Sequence, residues 1–513
     1  MQRTTQLQQL PDSLDVIIIG GGASGLGLAL DAASRGYHTL LLEAHDFAQG
    51  TSSRSTKLLH GGVRYLAQGD FSLVYEALHE RGTLMQNAPH LCAPQGFVIP
   101  CANLSSALFY GLGLKLYALM AGKLQLHRTD VLFKPQGLLE GVKQEKCRHA
   151  VCYYDGQFDD ARLALSLALS AHDHGALLLN YAQVKSLLFE NTQVCGVVFE
   201  DRINQQEIRL KARCVINATG VFTNTINHMD PSTQENHITP SQGIHLVLDQ
   251  KFLPSKHALM VPKTSDGRVL FAIPWHGKLL VGTTDTPVQE VSLEPKALPE
   301  EIDFLLNTLG EYLEQQPTRK DVLSVFVGLR PLMASSKVRA TKKLSRSHKI
   351  YTAPSGLVHL NGGKWTTYRH MAQETLDVCI QQGLLPAKTC YTRTLKLHGY
   401  TSEDLDPRLK VYGTHAQAIL DLENANPHLA RLIHPNYPYT YAQVFWALEH
   451  EMAYRLEDVL SRRMRLLFLD ARAALKCARE VGGFMGAYFG WDISQQEQEI
   501  TQFETLAKTH ILE

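Results

Sequence analysis

Apolar residues change their spacing several times along this chain, and each change marks an element. Asp15-Val16-Ile17-Ile18-Ile19 is a continuous β-branched run, the pattern of a strand buried on both faces of a parallel sheet. Ala23–Ser34 switches to small and apolar residues that read as a helix, and Thr39–Leu42 returns to a short apolar run. A βαβ unit over about Leu14–Glu43 follows. Phe71–Met85 and Asp160–His174 predict helices, the first through Leu73, Ala77, Leu78 and Leu84. Gly175–Asn180 predicts a strand, Val184–Phe189 and Val194–Val198 a small antiparallel piece, and Cys214–Gly220 a further buried strand ending in small residues. Alternation in Ile244–Leu248, Val269–Ile273 and Leu279–Gly282 predicts an antiparallel sheet bounding a cavity, with a helix inserted over Glu300–Glu314. Beyond about Leu384 the texture is mostly helical, most clearly over Tyr441–Glu457 and Val459–Val481. Leu108–Leu124 is apolar on most faces but interrupted by Lys115. It fits either a buried helix or a surface element dipping into one leaflet, with Lys115 and Lys123 at headgroup level.

Composition narrows this picture. With 513 residues the chain can form two or three domains, and 44% hydrophobic with 19% charged residues is ordinary for a globular protein. A formal net charge of zero gives no support to nucleic-acid binding. The 9 cysteines are odd in number and include no CxxC pair, so neither a disulfide framework nor a metal knuckle is expected, and a reducing compartment fits best. Met1–Ser13 is polar and Gln-rich, unlike a signal peptide, and no segment has the length and purity of a membrane span.

The first loop carries the strongest chemistry. Gly20-Gly21-Gly22-Ala23-Ser24-Gly25 follows the first strand directly. Glycines there allow a sharp turn and close backbone approach to a pyrophosphate, and the helix that follows aims its positive end at that anion. The next strand ends in Glu43, placed to accept hydrogen bonds from an adenosine ribose. Ala218, Thr219 and Gly220 end a later strand in the same way, suited to passing beneath a nucleotide. Downstream, Thr51-Ser52-Ser53-Arg54-Ser55-Thr56-Lys57-Leu58-Leu59-His60-Gly61-Gly62-Val63-Arg64-Tyr65-Leu66 supplies hydroxyls, a lysine and paired glycines for a diphosphate and the polar edge of a flavin.

That run resembles, nearly letter for letter, the signature of FAD-dependent glycerol-3-phosphate dehydrogenases. Ser241–His245, Gly282–Asp285, Gly328–Leu332, Ser345-Arg346, Gly362–Arg369 and Met452–Ala473 appear in family order, so the resemblance spans Asp15 to near the C-terminus. Ser24, Gln242 and Trp365 depart from the common pattern without putting an assigned role in doubt. The resemblance implies an α/β (α+β overall) fold. Its parts are a glutathione-reductase-like FAD domain (14–90, 150–235 and 340–383), an interleaved antiparallel-sheet substrate domain (91–149 and 236–339) and a C-terminal helical cap (384–513). It also implies a chain without the calcium-binding extension of animal mitochondrial members, on the cytoplasmic face of a bacterial inner membrane as a peripheral protein.

The implied reaction oxidises sn-glycerol 3-phosphate to dihydroxyacetone phosphate by hydride transfer to flavin N5, with electrons passed to ubiquinone or menaquinone. The implied cofactor contacts are Gly20, Gly22, Ala23, Ser24, Gly25, Glu43, Thr51, Ser52, Ser53, Lys57, Leu59, His60, Gly61, Gly62, Ala218, Thr219, Gly220, Gly363, Lys364 and Thr366. Arg330 and Arg346 are the implied phosphate anchors, because guanidinium forks match phosphate. Arg64 and Tyr65 would close the pocket, and Thr284 and Asp285 would line it. Lys364 would face the reduced flavin edge or the substrate phosphate. His245 is the candidate for proton transfer or orientation at the hydroxyl. Arg54 and Arg369 read as structural, Arg462 and Arg463 as solvated or inter-domain. No metal is expected, and a homodimer is compatible with this reading. The alternatives are a glycerol-3-phosphate oxidase using O2, a related flavin amine or amino-acid oxidase, and a non-catalytic flavin-binding protein.

Overall fold

The computed structural model describes residues 1–512 apart from 68, 134, 136, 234–237 and 334–347, and apart from the side chains of 64 and 67. Two large sheets organise the chain. The first has eight strands, in the order His348–Thr352, Val358–Gly362, Gln206–Asn217, Ser13–Ile19, Thr39–Leu42, Leu177–Leu179, with an antiparallel hairpin attached. Ser13–Ile19 is parallel to both neighbours, aligning Ile17 with Leu40 and Val215, which is why its side chains are apolar on both faces. The hairpin Ala182–Glu190 and Gln193–Asp201 pairs with the first half of Gln206–Asn217, whose second half joins the parallel core. Helix Ala23–Ser34 packs on one face between helices Asp160–Asp173 and Tyr368–Gln381. Gly27 allows the closest approach, since a Cβ there would lie 2.7 Å from the Tyr368 ring.

The second sheet has ten strands. Ile238–Asp249 pairs with Lys278–Gly282 on one edge and with Ser324–Met333 on the other. Cys92–Cys101 and His149–Phe158 pair along their full lengths, and Leu58–Leu59 adds to His149–Phe158. The first sheet's nucleotide strands and this second sheet therefore meet at the run Thr51–Leu66. His149–Phe158 belongs wholly to the second sheet, so the expected return to the nucleotide domain at residue 150 falls about one strand too early. Both ten-residue strands carry residues that blur alternation: Pro94, Gly96 and Pro100 in one, Asp155 and Gly156 in the other.

Leu104–Met120 is a surface helix. Ala107, Gly111, Leu114 and Tyr117 face inward, and Gly111 admits Val131 at a position where a Cβ would clash at 2.3 Å. Leu108, Phe109, Leu112 and Leu119 face outward, with Phe109 74% and Leu112 75% exposed. Among the described residues no helix is long and apolar enough to cross a membrane.

The C-terminal region is helical but more broken than its apolar pattern predicts. Tyr441–His450 stops well before Glu457, and Met452 has φ +54°. The expected helix Val459–Val481 is divided into a π-turn over Asp458–Arg463, a short helix Leu466–Leu469 and a long one, Ala471–Phe489. Arg465 takes a left-handed conformation, φ +64°, and Asp470 caps the long helix by accepting from the Ala473 amide. The breaks turn Asp458, Arg462, Arg463 and Arg465 inward, where they are fully buried against the nucleotide domain.

Candidate active site

Two cavities meet at the junction of the sheets. The larger, about 380 Å³, runs along the carboxyl ends of the parallel strands, where Ile19, Leu42, Ala218 and Gly362 mark four strand ends. This is where open α/β sheets bind nucleotides. Gly20 has φ +109°, and a Cβ on Gly25 would sit 1.8 Å from the Gly20 carbonyl oxygen, so the loop can be built only with glycine at both positions. Glu43 Oε2 accepts from the Gly21 amide at 2.6 Å and Oε1 from the His45 amide at 2.9 Å. Burial pushes its pKa up, against those two amides. Ser52 Oγ accepts from the Ala23 amide at 2.9 Å, and Thr51 Oγ1 donates to the Leu329 carbonyl at 2.6 Å, tying the loop to the second sheet. Gly22, Ala23, Ser24, Thr219, Gly220, Gly363 and Lys364 complete the walls. A glycine loop without Cβ atoms, a helix N-terminus, a carboxylate at the second strand end and a lysine at the far end together match the parts of FAD: pyrophosphate, ribose and the electron-rich edge of the ring.

The smaller cavity, about 150 Å³, lies against the second sheet. Thr56, His60, Tyr65, Thr283 and Arg330 are in its wall, with Thr284 and Asp285. Arg330 Nη1 donates to the Gln242 carbonyl at 3.2 Å and Nη2 to Thr283 Oγ1 at 3.1 Å, while Asp285 stands 3.8 Å away. Asp285 itself accepts from Ser241 Oγ. Thr284 is buried and spends its hydroxyl on Glu301, so it shapes the wall more than it offers a donor. The cavities touch where Lys364 Nζ, in the wall of the larger, lies 4.1 Å from the centre of the Tyr65 ring, in the wall of the smaller.

Several expected residues fall elsewhere. Lys57 is fully buried, with φ +61°, and its ammonium donates to Asp160 Oδ2 at 2.6 Å and the Ser53 carbonyl at 2.7 Å. Burial drives its pKa down to about 7, against the pull of Asp160. It braces the run from behind and faces neither cavity. Ser53 and Leu59 are likewise core residues, and Gly61 donates its amide to Tyr117 Oη at 2.8 Å. Gly62 has φ +84° and packs on Tyr65, and Thr366 Oγ1 accepts from the His60 amide at 3.3 Å. His60 faces the smaller cavity rather than the nucleotide groove. His245 is 2% exposed, and among the described residues its hydrogen bond to the cavity wall is to Thr56 Oγ1, 2.9 Å from its Nε2. Burial, followed by Lys57 and Arg330, holds its pKa well below the usual imidazole value. Arg346 and the Arg64 side chain lie outside the described residues. Thr56, Arg268 and Asp155 also line the smaller cavity and were not singled out by sequence. Thr56 is hidden inside the cofactor-like run; Asp155 comes from a strand and Arg268 from the turn before Leu270–Trp275, neither carrying a motif.

Arg54 is structural, as expected, paired with Glu294 and donating to the Gln49 carbonyl at 3.2 Å. Arg369 grips Glu80 bidentately, at 2.8 and 2.7 Å. Arg462 and Arg463 are inter-domain but not solvated: both bind Asp46, with Arg462 Nε at 2.5 Å.

A nucleotide groove of this form, beside an arginine-bearing pocket against a second sheet, defines a flavin-linked oxidoreductase. A family profile described as "FAD dependent oxidoreductase" matches residues 15–375, and one described as "C-terminal domain of alpha-glycerophosphate oxidase" matches 356–496. A probable mitochondrial glycerol-3-phosphate dehydrogenase of Caenorhabditis elegans is 38% identical over 96% of this chain and 73% of its own length. A mitochondrial glycerol-3-phosphate dehydrogenase of Arabidopsis thaliana is 36% identical over 97% of this chain and 86% of its own. The crystal structure of the Bacillus halodurans glycerol-3-phosphate dehydrogenase, complexed with FAD, superposes with a TM-score of 0.80 at 28% identity, covering 99% of this chain and 98% of that one. The chain belongs to the FAD-dependent glycerol-3-phosphate dehydrogenase family.

Proposed function

We propose that this protein oxidises sn-glycerol 3-phosphate to dihydroxyacetone phosphate and passes the electrons to a membrane quinone, ubiquinone or menaquinone. The observation that carries the reading is the position of Arg330: its guanidinium stands in a small cavity that meets the nucleotide groove across the Lys364–Tyr65 contact. Bound FAD supplies the hydride acceptor. Arg330 holds the substrate phosphate and thereby fixes the distance of the carbinol carbon from the groove. Arg346 and Arg64 are proposed to join it. Lys364, close to the same junction, stabilises negative charge on either the reduced ring or the phosphate. His245, neutral at working pH because of its burial and its cationic neighbours, is the proton acceptor for the alcohol.

The outward leucines and phenylalanine of Leu104–Met120 support contact with one leaflet of the membrane that holds the quinone. We place the protein at the cytoplasmic face of a bacterial inner membrane, as a peripheral protein. Replacing Phe109 and Leu112 together with aspartate should abolish co-sedimentation with anionic lipid vesicles while leaving substrate-driven flavin bleaching intact. Sedimentation equal to wild type would contradict the membrane assignment.

The activity itself is tested by anaerobic addition of glycerol 3-phosphate to the FAD-loaded protein. Loss of the oxidised flavin band supports the reading, and loss with glycine but not with glycerol 3-phosphate overturns it. Reoxidation by a quinone analogue but not by air distinguishes the dehydrogenase from an oxidase.

A further inference from the structure

We infer that Thr56 is the group through which His245 acts on the substrate hydroxyl, the two side chains forming a short proton relay in the wall of the smaller cavity. The inference rests on the activity proposed above and deepens it, because nothing in the signature run assigns Thr56 a role separate from cofactor binding.

Local structure explains why Thr56 faces the cavity. Its neighbours are both committed to Asp160: the Ser55 amide and hydroxyl donate to Oδ2 at 3.0 and 2.7 Å, and Lys57 Nζ donates to the same oxygen at 2.6 Å. Pinned on either side, and with Lys57 at positive φ, the chain turns the side chain between them toward the cavity that Arg330 and His60 also line. Asp160 is held in turn by Arg465 at 3.0 Å, so the C-terminal region fixes this turn.

His245 is built to act through Thr56. Its strand places it opposite Gly282, where an added Cβ would come within 2.3 Å of the ring, and its other face stacks on Phe326 at 5.0 Å and 16°. Nδ1 is buried and has no hydrogen-bond partner among the described residues. Nε2 is the ring's polar outlet, and it meets Thr56 Oγ1 at 2.9 Å. With Nδ1 carrying the ring hydrogen, Nε2 accepts from the Thr56 hydroxyl, which is the direction that proton removal needs.

The step balances. Bound FAD would supply the hydride acceptor, taking the carbinol hydrogen together with the C–H electron pair. The substrate O–H bond breaks and its proton goes to Thr56 Oγ1, as the Thr56 hydrogen passes to His245 Nε2. The C=O bond forms, and His245 holds one proton until it returns to water through the emptied cavity. Charging a ring so deeply enclosed is costly, which keeps it neutral before turnover and drives the proton back out afterwards.

Thr56→Val keeps shape and removes the hydroxyl; Thr56→Ser restores it. Three quantities are read on the FAD-loaded proteins: flavin content, the dissociation constant of dihydroxyacetone phosphate by equilibrium dialysis, and the rate constant of anaerobic bleaching by glycerol 3-phosphate. We expect Thr56→Val to keep its FAD and bind product within about threefold of wild type, yet bleach about 100-fold more slowly, the usual worth of a positioned proton acceptor. Thr56→Ser should recover most of the rate. Adding His245→Gln to Thr56→Val should slow it little further, because one relay cannot be broken twice. Should the valine variant fail to hold FAD, the serine variant and His245→Gln carry the test: the relay requires a fast serine enzyme and a slow glutamine enzyme. Bleaching of Thr56→Val at the wild-type rate, leaving His60 as acceptor, overturns the relay. So does a loss of product affinity as large as the loss of rate, which would make Thr56 a binding group. A wild-type protein that glycerol 3-phosphate does not bleach removes the proposed activity itself, a result separate from any of these.

Discussion

Two sets of cations sit within this fold, and they differ in where they stand. At the seam between the helical cap and the nucleotide domain, four buried arginines each have a buried carboxylate in close contact. Arg462 and Arg463 share Asp46, Arg162 holds Glu451 bidentately at 2.9 and 2.8 Å, and Arg465 reaches Asp160 at 3.0 Å. At the smaller cavity, Arg330 donates to the Gln242 carbonyl and the Thr283 hydroxyl and pairs with Asp285 at 3.8 Å, while Arg268 pairs with Asp266 in its own loop. The first set ties separate parts of the chain together through buried carboxylates; Arg330 stands in a cavity wall, where it is the proposed phosphate anchor. Buried pairs cost desolvation, so their value lies in fixing how domains meet rather than in adding net stability.

The comparison can be broken most severely at Asp46. Asp46→Ala leaves two buried guanidinium groups without their shared partner and should cost about 3–5 kcal/mol of folding stability, read by chemical denaturation. A loss under about 1 kcal/mol would show that the seam is not closed by these pairs.

Asp159 gives a smaller, pH-dependent effect. Burial alone would raise its pKa, but Arg465, His276 and the Arg162 amide outweigh burial and hold it well below the usual carboxylate range. A folded value below the unfolded one means that the unfolded chain binds the extra proton. Its stabilisation is therefore complete above about pH 4 and is lost as pH falls below that. Asp159→Asn should flatten the acid limb of stability against pH, measured by denaturation at a series of pH values; an unchanged limb would contradict the assignment. Arg330→Ala should change folding stability by less than about 1 kcal/mol, since the cavity cation is not part of the seam. At the small end stands Arg479–Glu497, an exposed pair with side chains 64% and 48% accessible. Glu497→Gln should leave the denaturation midpoint where it is.

Sequence patterning was informative where local rules act alone. Ser13–Ile19, Ala23–Ser34 and Thr39–Leu42 fall where the apolar periods put them, because a buried strand and its glycine loop tolerate few other residues. The cap was harder. Its apolar spacing describes continuous helices, but ion pairs to Asp46 and Asp160, hundreds of residues away in sequence, reward the breaks around Met452 and Arg465. The same long-range pairing hid Lys57, which looks like a phosphate ligand in its run yet is buried on Asp160. It also hid the work of Thr56, whose orientation depends on two neighbours that bind the same carboxylate. Sequence offered cations in the right motifs but not which of them are buried at the seam between domains and which stand in a cavity wall.

The most direct test of Arg330 as the phosphate anchor is a titration of wild-type and Arg330→Ala holoenzyme with glycerol 3-phosphate under anaerobic conditions, following the oxidised flavin band. Loss of a charge-assisted phosphate contact predicts a half-saturating concentration about 100-fold higher in the variant, with its FAD content and fold intact. Superimposable titration curves would show that Arg330 does not hold the substrate and would contradict the account.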